Sequence, residues 1–199
     1  DEYLVGKFFK HLKSRKKTSP EIEARTVTLA EIKPRLTIMA RALTGNPIEI
    51  FPAEREGGYK NNNFFLPISF AEFPTLEENL TFYHFRMLYL CVQQRLNYNW
   101  TSEEIEPELA LSQQKALETS DDVLTILFEE FSIGESFLAK AKEHFIQKSD
   151  AKKGPEFSWL FGKWMKNEPE IESENQLQNF SDNTKKPNEI QPLTTLKAK

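Results

Sequence analysis

The chain has little of what most reactive sites need. Cys91 is the only cysteine among 199 residues, so the sequence holds no internal disulfide and no thiolate metal cluster. There are three histidines, His11, His84 and His144, and none pairs with another one helical turn away. A hydrolytic zinc site on a helix needs two such imidazoles around a glutamate, so that both meet one metal. No Gly-rich phosphate loop followed by Lys-Ser/Thr occurs, and no Gly-x-Ser-x-Gly elbow. No apolar run approaches the ~20 residues that span a bilayer, and nothing resembles a signal peptide. The sequons at Asn79, Asn99 and Asn179 then read as chance matches, and the expected location is the cytoplasm. The first residue is Asp1, so the chain reads as an excerpt of a longer protein.

Basic excess is missing too. Twenty-six Lys and Arg face 30 Asp and Glu, a formal net charge of −4, which argues against a general nucleic-acid binder. The charge is uneven. Residues 1–17 carry six basic and two acidic side chains, Lys13, Arg15, Lys16 and Lys17 among them; residues 101–130 carry nine acidic and one basic. Such asymmetry suits docking of complementary surfaces, although two solvated helix faces would look the same.

Phenylalanine is abundant. Sixteen Phe with 39% hydrophobic residues supply a real core. The spacing of Leu4, Val5, Phe8, Phe9 and Leu12 predicts an amphipathic helix over residues 1–15, lysines opposite, which could dock on the domain or lie on a membrane. Residues 18–28 read as a polar link. Thr28 and Glu31 form a capping box for a helix to about Leu43, with Leu36, Met39, Ala40 and Leu43 as its buried stripe and Pro34 tolerable only in a first turn. Residues 47–52 and 62–67 read as strands joined by a turn at Gly57 and Gly58, one small β-hairpin. Thr75 and Glu78 cap a long central helix reaching past Tyr98. Further helices are expected over 103–118, 121–131 and 134–148, with Gly134 separating the last two. The expected fold is mainly α, built around the long helix, with a domain over 1–166. From Asn167 onward the polar, Pro-containing chain reads as a disordered linker.

Candidate chemistry is sparse. Cys91 sits on the apolar side of the long helix, where packing is a better account than nucleophilicity. Glu103/Glu104 and Glu129/Glu130 are adjacent in sequence, which points their carboxylates apart on a helix. The candidates left are for protein contact: Lys13, Arg15, Lys16 and Lys17; Glu103, Glu104 and Glu106; Asp121 and Asp122; and the aromatics Trp159, Phe161 and Trp164. Those aromatics could equally seal the core before the linker.

The order of several short stretches resembles a known family. Leu36–Asn46 reads Leu-Thr-Ile-Met-Ala-Arg-Ala-Leu-Thr-Gly-Asn. It is followed by Ile48-Glu49-Ile50, Gly57-Gly58, Phe64-Phe65-Leu66-Pro67, Phe73-Pro74, Glu78-Asn79, and a Tyr-bearing helix ending Leu96-Asn97-Tyr98-Asn99-Trp100. Residues 29–101 are similar to the N-terminal part of nitric-oxide-reductase activation proteins, the NorD/CbbO-like group, with a weaker echo over Asp121–Phe145. The resemblance implies a non-catalytic adaptor domain, linked to a von Willebrand factor A domain that holds a divalent cation through Asp-x-Ser-x-Ser. It also implies a MoxR-type AAA+ ATPase as partner and a target enzyme, often a metalloenzyme, that the pair activates. No Asp-x-Ser-x-Ser occurs here, so no cofactor is expected in this chain. Where relatives carry His-x-x-x-His-Leu-Glu, this chain has Cys91, Arg95, Leu96 and Asn97. The alternatives are a degenerate zincin-like metallopeptidase fold and a peripheral membrane protein using residues 1–17.

Overall fold

The computed structural model describes residues 19–53, 57–105, 107–148 and 158–169. The described chain is mainly helical, with one two-stranded and one three-stranded sheet. Its elements in order are α1 (Pro20–Arg25), β1 (Val27–Thr28), α2 (Leu29–Thr44), β2 (Glu49–Ala53), β3 (Tyr59–Lys60), β4 (Asn63–Pro67), β5 (Ser69–Phe70), α3 (Leu76–Arg95), α4 (Leu109–Glu118), α5 (Ser120–Glu130), α6 (Ser132–Lys148) and a 3-10 turn (Ser158–Phe161). The helix predicted over residues 1–15 lies outside the described residues.

Helix α3 organises the rest. Thr75 and Glu78 form its capping box, and twelve of its twenty residues are buried. It is therefore enclosed on most sides and carries no clean polar face. Three of those buried residues are polar: Asn79, Arg86 and Gln93. Seven-residue spacing puts them on one line along the helix, about 21 Å from end to end at 1.5 Å per residue. Each one holds backbone carbonyls of the segments packed around the helix. Asn79 Nδ2 donates to the carbonyls of Arg25 (2.9 Å), Phe73 (3.1 Å) and Thr75 (2.8 Å), and its Oδ1 accepts from the Phe73 amide (2.9 Å). Arg86 donates to the carbonyls of Leu160 (2.7 Å) and Gly57 (3.1 Å). Gln93 donates to the Tyr98 carbonyl (3.0 Å). Buried backbone oxygens need such donors, because an orphaned one costs about 1–3 kcal/mol.

The aromatic residues fill the space between these anchors. Phe70 stacks on Phe82 with centroids 3.7 Å apart; Phe137 of α6 meets Phe73, Phe82 and Phe85; Phe161 lies 5.8 Å from Tyr89. In the larger sheet, alternation turns Ile50, Phe64 and Leu66 inward, and Phe51 and Phe65 stack on the outer side.

Several expectations need correction. The strands at 49–53 and 63–67 are not a hairpin: β2 and β4 run parallel, with Ile50 opposite Phe64. The tight antiparallel pair is β3 with β4, and it turns at Asn61 and Asn62, with Asn61 at φ 51. Asparagine tolerates that left-handed conformation. Gly57 and Gly58 make no turn. Both are buried, and a side chain at Gly57 would overlap the Phe65 carbonyl, so glycine there serves close approach of two backbones. The polar link at 18–28 contains α1 and β1, the latter paired with β5. Pro34 lies inside α2, past its first turn. Both it and Ala30, whose carbonyl loses the bond, are exposed, so water can satisfy that oxygen. Met39 and Leu43, expected in the buried stripe of α2, are exposed, while Leu36 and Ala40 are buried. Helices α5 and α6 break at Phe131, which is extended, and Gly134 sits within α6 against Leu127. The long helix stops at Arg95, short of Tyr98. Asn167 and Glu168, read as the start of the linker, are hydrogen-bonded into the domain; the chain divides after Glu168, and residues 170–199 lie outside the described residues.

Arg86 is predicted to be a stability anchor. Arg86→Ala removes two buried hydrogen bonds and leaves a cavity, and should lower the free energy of urea unfolding by roughly 3 kcal/mol. A variant as stable as the wild type would contradict the role given to this side chain. A second expectation concerns alkali. Burial holds the phenols of Tyr59, Tyr83 and Tyr89 well above the ordinary 10.0. Their unfolded forms ionise first, so the stability they contribute is complete below pH 10 and is lost as pH rises beyond it. Far-UV circular dichroism in urea at neutral and at alkaline pH should show the unfolding midpoint falling above that value.

Candidate functional site

Beyond α3 the chain turns through Asn97, at φ 57, and enters a segment that meets residues 162–168. Gly162 (φ +72) is the hinge of that second segment. Any side chain on it would overlap both the Gly57 carbonyl and the Arg86 guanidinium. From there the strap is fixed bond by bond. The Lys163 amide donates to Gly57 (3.2 Å), the Trp164 amide to Ser112 (3.1 Å), the Trp100 amide to Met165 (3.1 Å) and the Asn167 amide to Trp100 (2.9 Å). Asn167 Oδ1 accepts from the Asn61 amide and from Asn99 Nδ2, each at 2.9 Å. Asn99 Oδ1 accepts from the Met165 amide, and Lys60 pairs with Glu168. The sequons at Asn79 and Asn99 therefore fall on buried side chains already engaged in hydrogen bonds.

This strap builds an aromatic corner. Tyr98 stacks on Trp164 (centroids 5.9 Å, 17° between planes), and Trp164 meets Trp100 edge-on at 5.2 Å. Tyr98 OH donates to Asp122 Oδ2 (2.7 Å), Trp100 Nε1 to Ser112 Oγ (3.1 Å) and Trp164 Nε1 to Thr119 Oγ1 (3.3 Å). All three rings are half-buried. The hydrogen bond to Asp122, more than burial, holds the Tyr98 phenol above its ordinary range.

Acidic residues surround this corner. Glu103 and Glu104 lie on an exposed turn and not on a helix, since Pro107 delays α4 until Leu109. Glu104 accepts from the Thr101 amide and hydroxyl. Asp121 and Asp122 occupy the first turn of α5. Glu118 is paired with Lys115 (2.9 Å) and Glu130 with Arg95 (2.8 Å). Glu103, Glu108, Asp121 and Glu129 are exposed and have no ion-pair partner among the described residues. The structure thus brings Trp164, Asp121, Asp122, Glu103 and Glu104 to one end of the domain. Trp159 and Phe161 belong elsewhere: both are buried core residues, packed on Phe82 and Tyr89 respectively. Lys13, Arg15, Lys16, Lys17 and Glu106 lie outside the described residues.

Helix α4 supplies the feature that sequence reading missed. It faces the core with Ser112 (5% exposed) and Ala116 (1%), because the strap backbone and the Trp100 ring press against it there. Its leucines consequently point outward: Leu109 is 53% exposed, Leu111 43% and Leu117 47%, with Ile105 on the preceding turn at 92%. The signal was Pro107, which delays the start of the helix predicted over 103–118 until Leu109.

Three further reactive side chains are described: Cys91, His84 and His144. Burial pushes the Cys91 thiol up to about 12, and its Sγ lies 3.7 Å from Met87 Sδ. It borders a shallow cleft of about 180 Å³ with Leu43, Arg95, Glu130 and Phe131. Burial holds the His84 imidazole below its ordinary range, and His144 Nε2 lies 3.0 Å from the Glu72 carbonyl. Among the described residues no three His, Cys, Asp or Glu side chains converge as metal ligands, and no helix is long and apolar enough to cross a membrane. Comparison with protein-family profiles, with curated proteins and with solved structures finds no match to this chain.

The Tyr98–Asp122 bond can be tested in isolation. Asp122→Ala removes the acceptor and its charge, so Tyr98 should form phenolate at lower pH than in the wild type. Ultraviolet difference titration reads this directly; an unchanged titration would contradict the contact.

Proposed function

We propose that this domain is a non-catalytic adaptor that works in the cytoplasm by binding other proteins through the acid-rimmed face of α4. The observation that carries the reading is the outward turn of Leu109, Leu111 and Leu117, with Ile105 beside them. Single exposed apolar residues are ordinary, but several within one short stretch, on more than one side of α4, offer apolar area whose burial against a partner is favourable. Exposed Glu103, Glu104 and Glu108 before α4 and Asp121 and Asp122 after it flank these residues with negative charge. Rim charges act mainly on encounter rate and on choice of partner, while the apolar centre supplies affinity.

The order of sequence stretches that resembles the NorD/CbbO-like group supports one class of partner, a MoxR-type AAA+ ATPase. The pair would activate or remodel a target enzyme. The half-buried Tyr98, Trp100 and Trp164 give the face a rigid aromatic edge held by hydrogen bonds, so little conformational entropy is lost on binding.

The experiment is co-purification with a MoxR-type ATPase from the same source as this protein. Wild-type chain should retain it. Reversing charge at Glu103, Glu104 and Glu106 together should weaken retention by roughly tenfold, equivalent to about 1.4 kcal/mol. Equal retention by the triple variant would remove this face from the reading, and no retention by the wild type would remove the ATPase.

A further inference from the structure

We propose that the outer side of α2 is a dimerisation surface, on which this helix pairs antiparallel with α2 of a second copy about a two-fold axis. The inference goes beyond the reading of α4 and does not depend on it.

The side of α2 turned away from the core carries an apolar strip. At about 100° per residue, Ile38, Met39, Ala42 and Leu43 fall within about 140° of the helix circumference. All four are exposed, Ile38 at 69% and Leu43 at 44%, while Leu29, Leu36 and Ala40 on the opposite side are buried. Arg35 lies inside the same arc, is exposed, and has no ion-pair partner among the described residues. The carboxyl end of the helix lacks donors. Of the amides that would continue its ladder, Asn46 donates to Thr44 Oγ1 (3.2 Å), Ile48 donates to the Asn46 carbonyl (2.8 Å), and Pro47 has no N–H. The carbonyls of Ala42, Leu43 and Thr44 therefore receive no bond from the chain that follows. Arg41, the basic residue of the last turn, is engaged elsewhere: it donates to the Ile48 carbonyl (2.8 Å) and pairs with Glu49.

Both halves of one contact thus sit on one surface. Arg35 is a cation without a partner, and about two turns further on the same side is a helix end whose partial negative charge has no cation. A two-fold axis brings each half to the other, which is why a second copy fits this face. With the crossing at Ile38 and Met39, Arg35 of each copy lies opposite Ala42 of the other, beside the open carbonyls. The apolar side chains then fill the centre, and the small Ala42 lets the two backbones approach. A parallel pairing would set Arg35 against Arg35 and leave both helix ends bare. The strip is short, so the dimer is a weak one in concentration-dependent equilibrium.

The test is sedimentation velocity of the full chain across a concentration series, with circular dichroism to confirm that each variant keeps its fold. The expected result is a reversible monomer–dimer equilibrium. Ile38→Glu, at an exposed position, should abolish association. Arg35→Glu should raise the dissociation constant roughly tenfold, because it sets an anion at each open helix end. Disulfide trapping reads the orientation. A mixture of Arg35→Cys and Ala42→Cys chains should give the mixed disulfide dimer on mild oxidation, and neither chain alone should link to itself. In an antiparallel pair crossing at Ile38 and Met39, like positions lie about 10 Å apart along the axis, beyond the reach of a disulfide. The wild type, whose one cysteine is buried, is the control. A wild type that stays monomeric at every concentration, a dimer that survives Ile38→Glu, or self-linked Arg35→Cys chains would each overturn the proposal. A monomeric wild type that retains the ATPase, and loses it on Ile38→Glu, also overturns self-association and gives this surface to that partner.

Discussion

The constraint on which this fold depends is the buried guanidinium of Arg86. It lies midway along the most enclosed helix of the domain and holds two carbonyls from segments far apart in sequence, Gly57 and Leu160. No carboxylate pairs with it among the described residues. Its charge is therefore met by peptide dipoles and by the Tyr89 ring, 5.4 Å away. Burial lowers its pKa to about 10, yet it keeps its proton at neutral pH. A buried cation of this kind is costly to leave unsatisfied, so both segments are held in position around it. Asn79 and Gln93 repeat the device one heptad on either side.

This arrangement links the core to the surface. Gly162 must lack a side chain for Arg86 to reach Gly57, and the strap that leaves Gly162 fixes Trp164, Met165 and Asn167. The strap backbone then occupies the side of α4 where a leucine would otherwise sit. Ser112 and Ala116 fit that narrow space, and the leucines face outward. The exposure of Leu109, Leu111 and Leu117 thus follows from how the core is closed.

Much of the framework was legible in the sequence. The Thr75–Glu78 box, the helices after Ser120 and the predominance of helix follow from caps and spacing, signals confined to a few neighbouring residues. The parallel β2–β4 pairing was not legible, because Gly57-Gly58 reads as a turn when its true demand is contact with Phe65 and Met165. Nor was the polar stripe of α3: its partners are backbone carbonyls, which leave no trace in side-chain patterns. At the candidate face, the charges of Glu103, Glu104, Asp121 and Asp122 were visible, and so was Trp164. Which aromatic residues turn inward was not, since Trp159 and Phe161 differ from Trp164 only in lying before Gly162.

The central claim is that residues 162–168 belong to the cooperative core through Arg86 and are no loose end of the chain. Native-state hydrogen exchange tests it most directly. The amides of Lys163, Trp164 and Asn167 should open with nearly the same free energy as those of Leu88 and Leu90 in α3. Rapid exchange of the three strap amides while α3 stays protected would contradict the account, and with it the explanation for the outward leucines of α4.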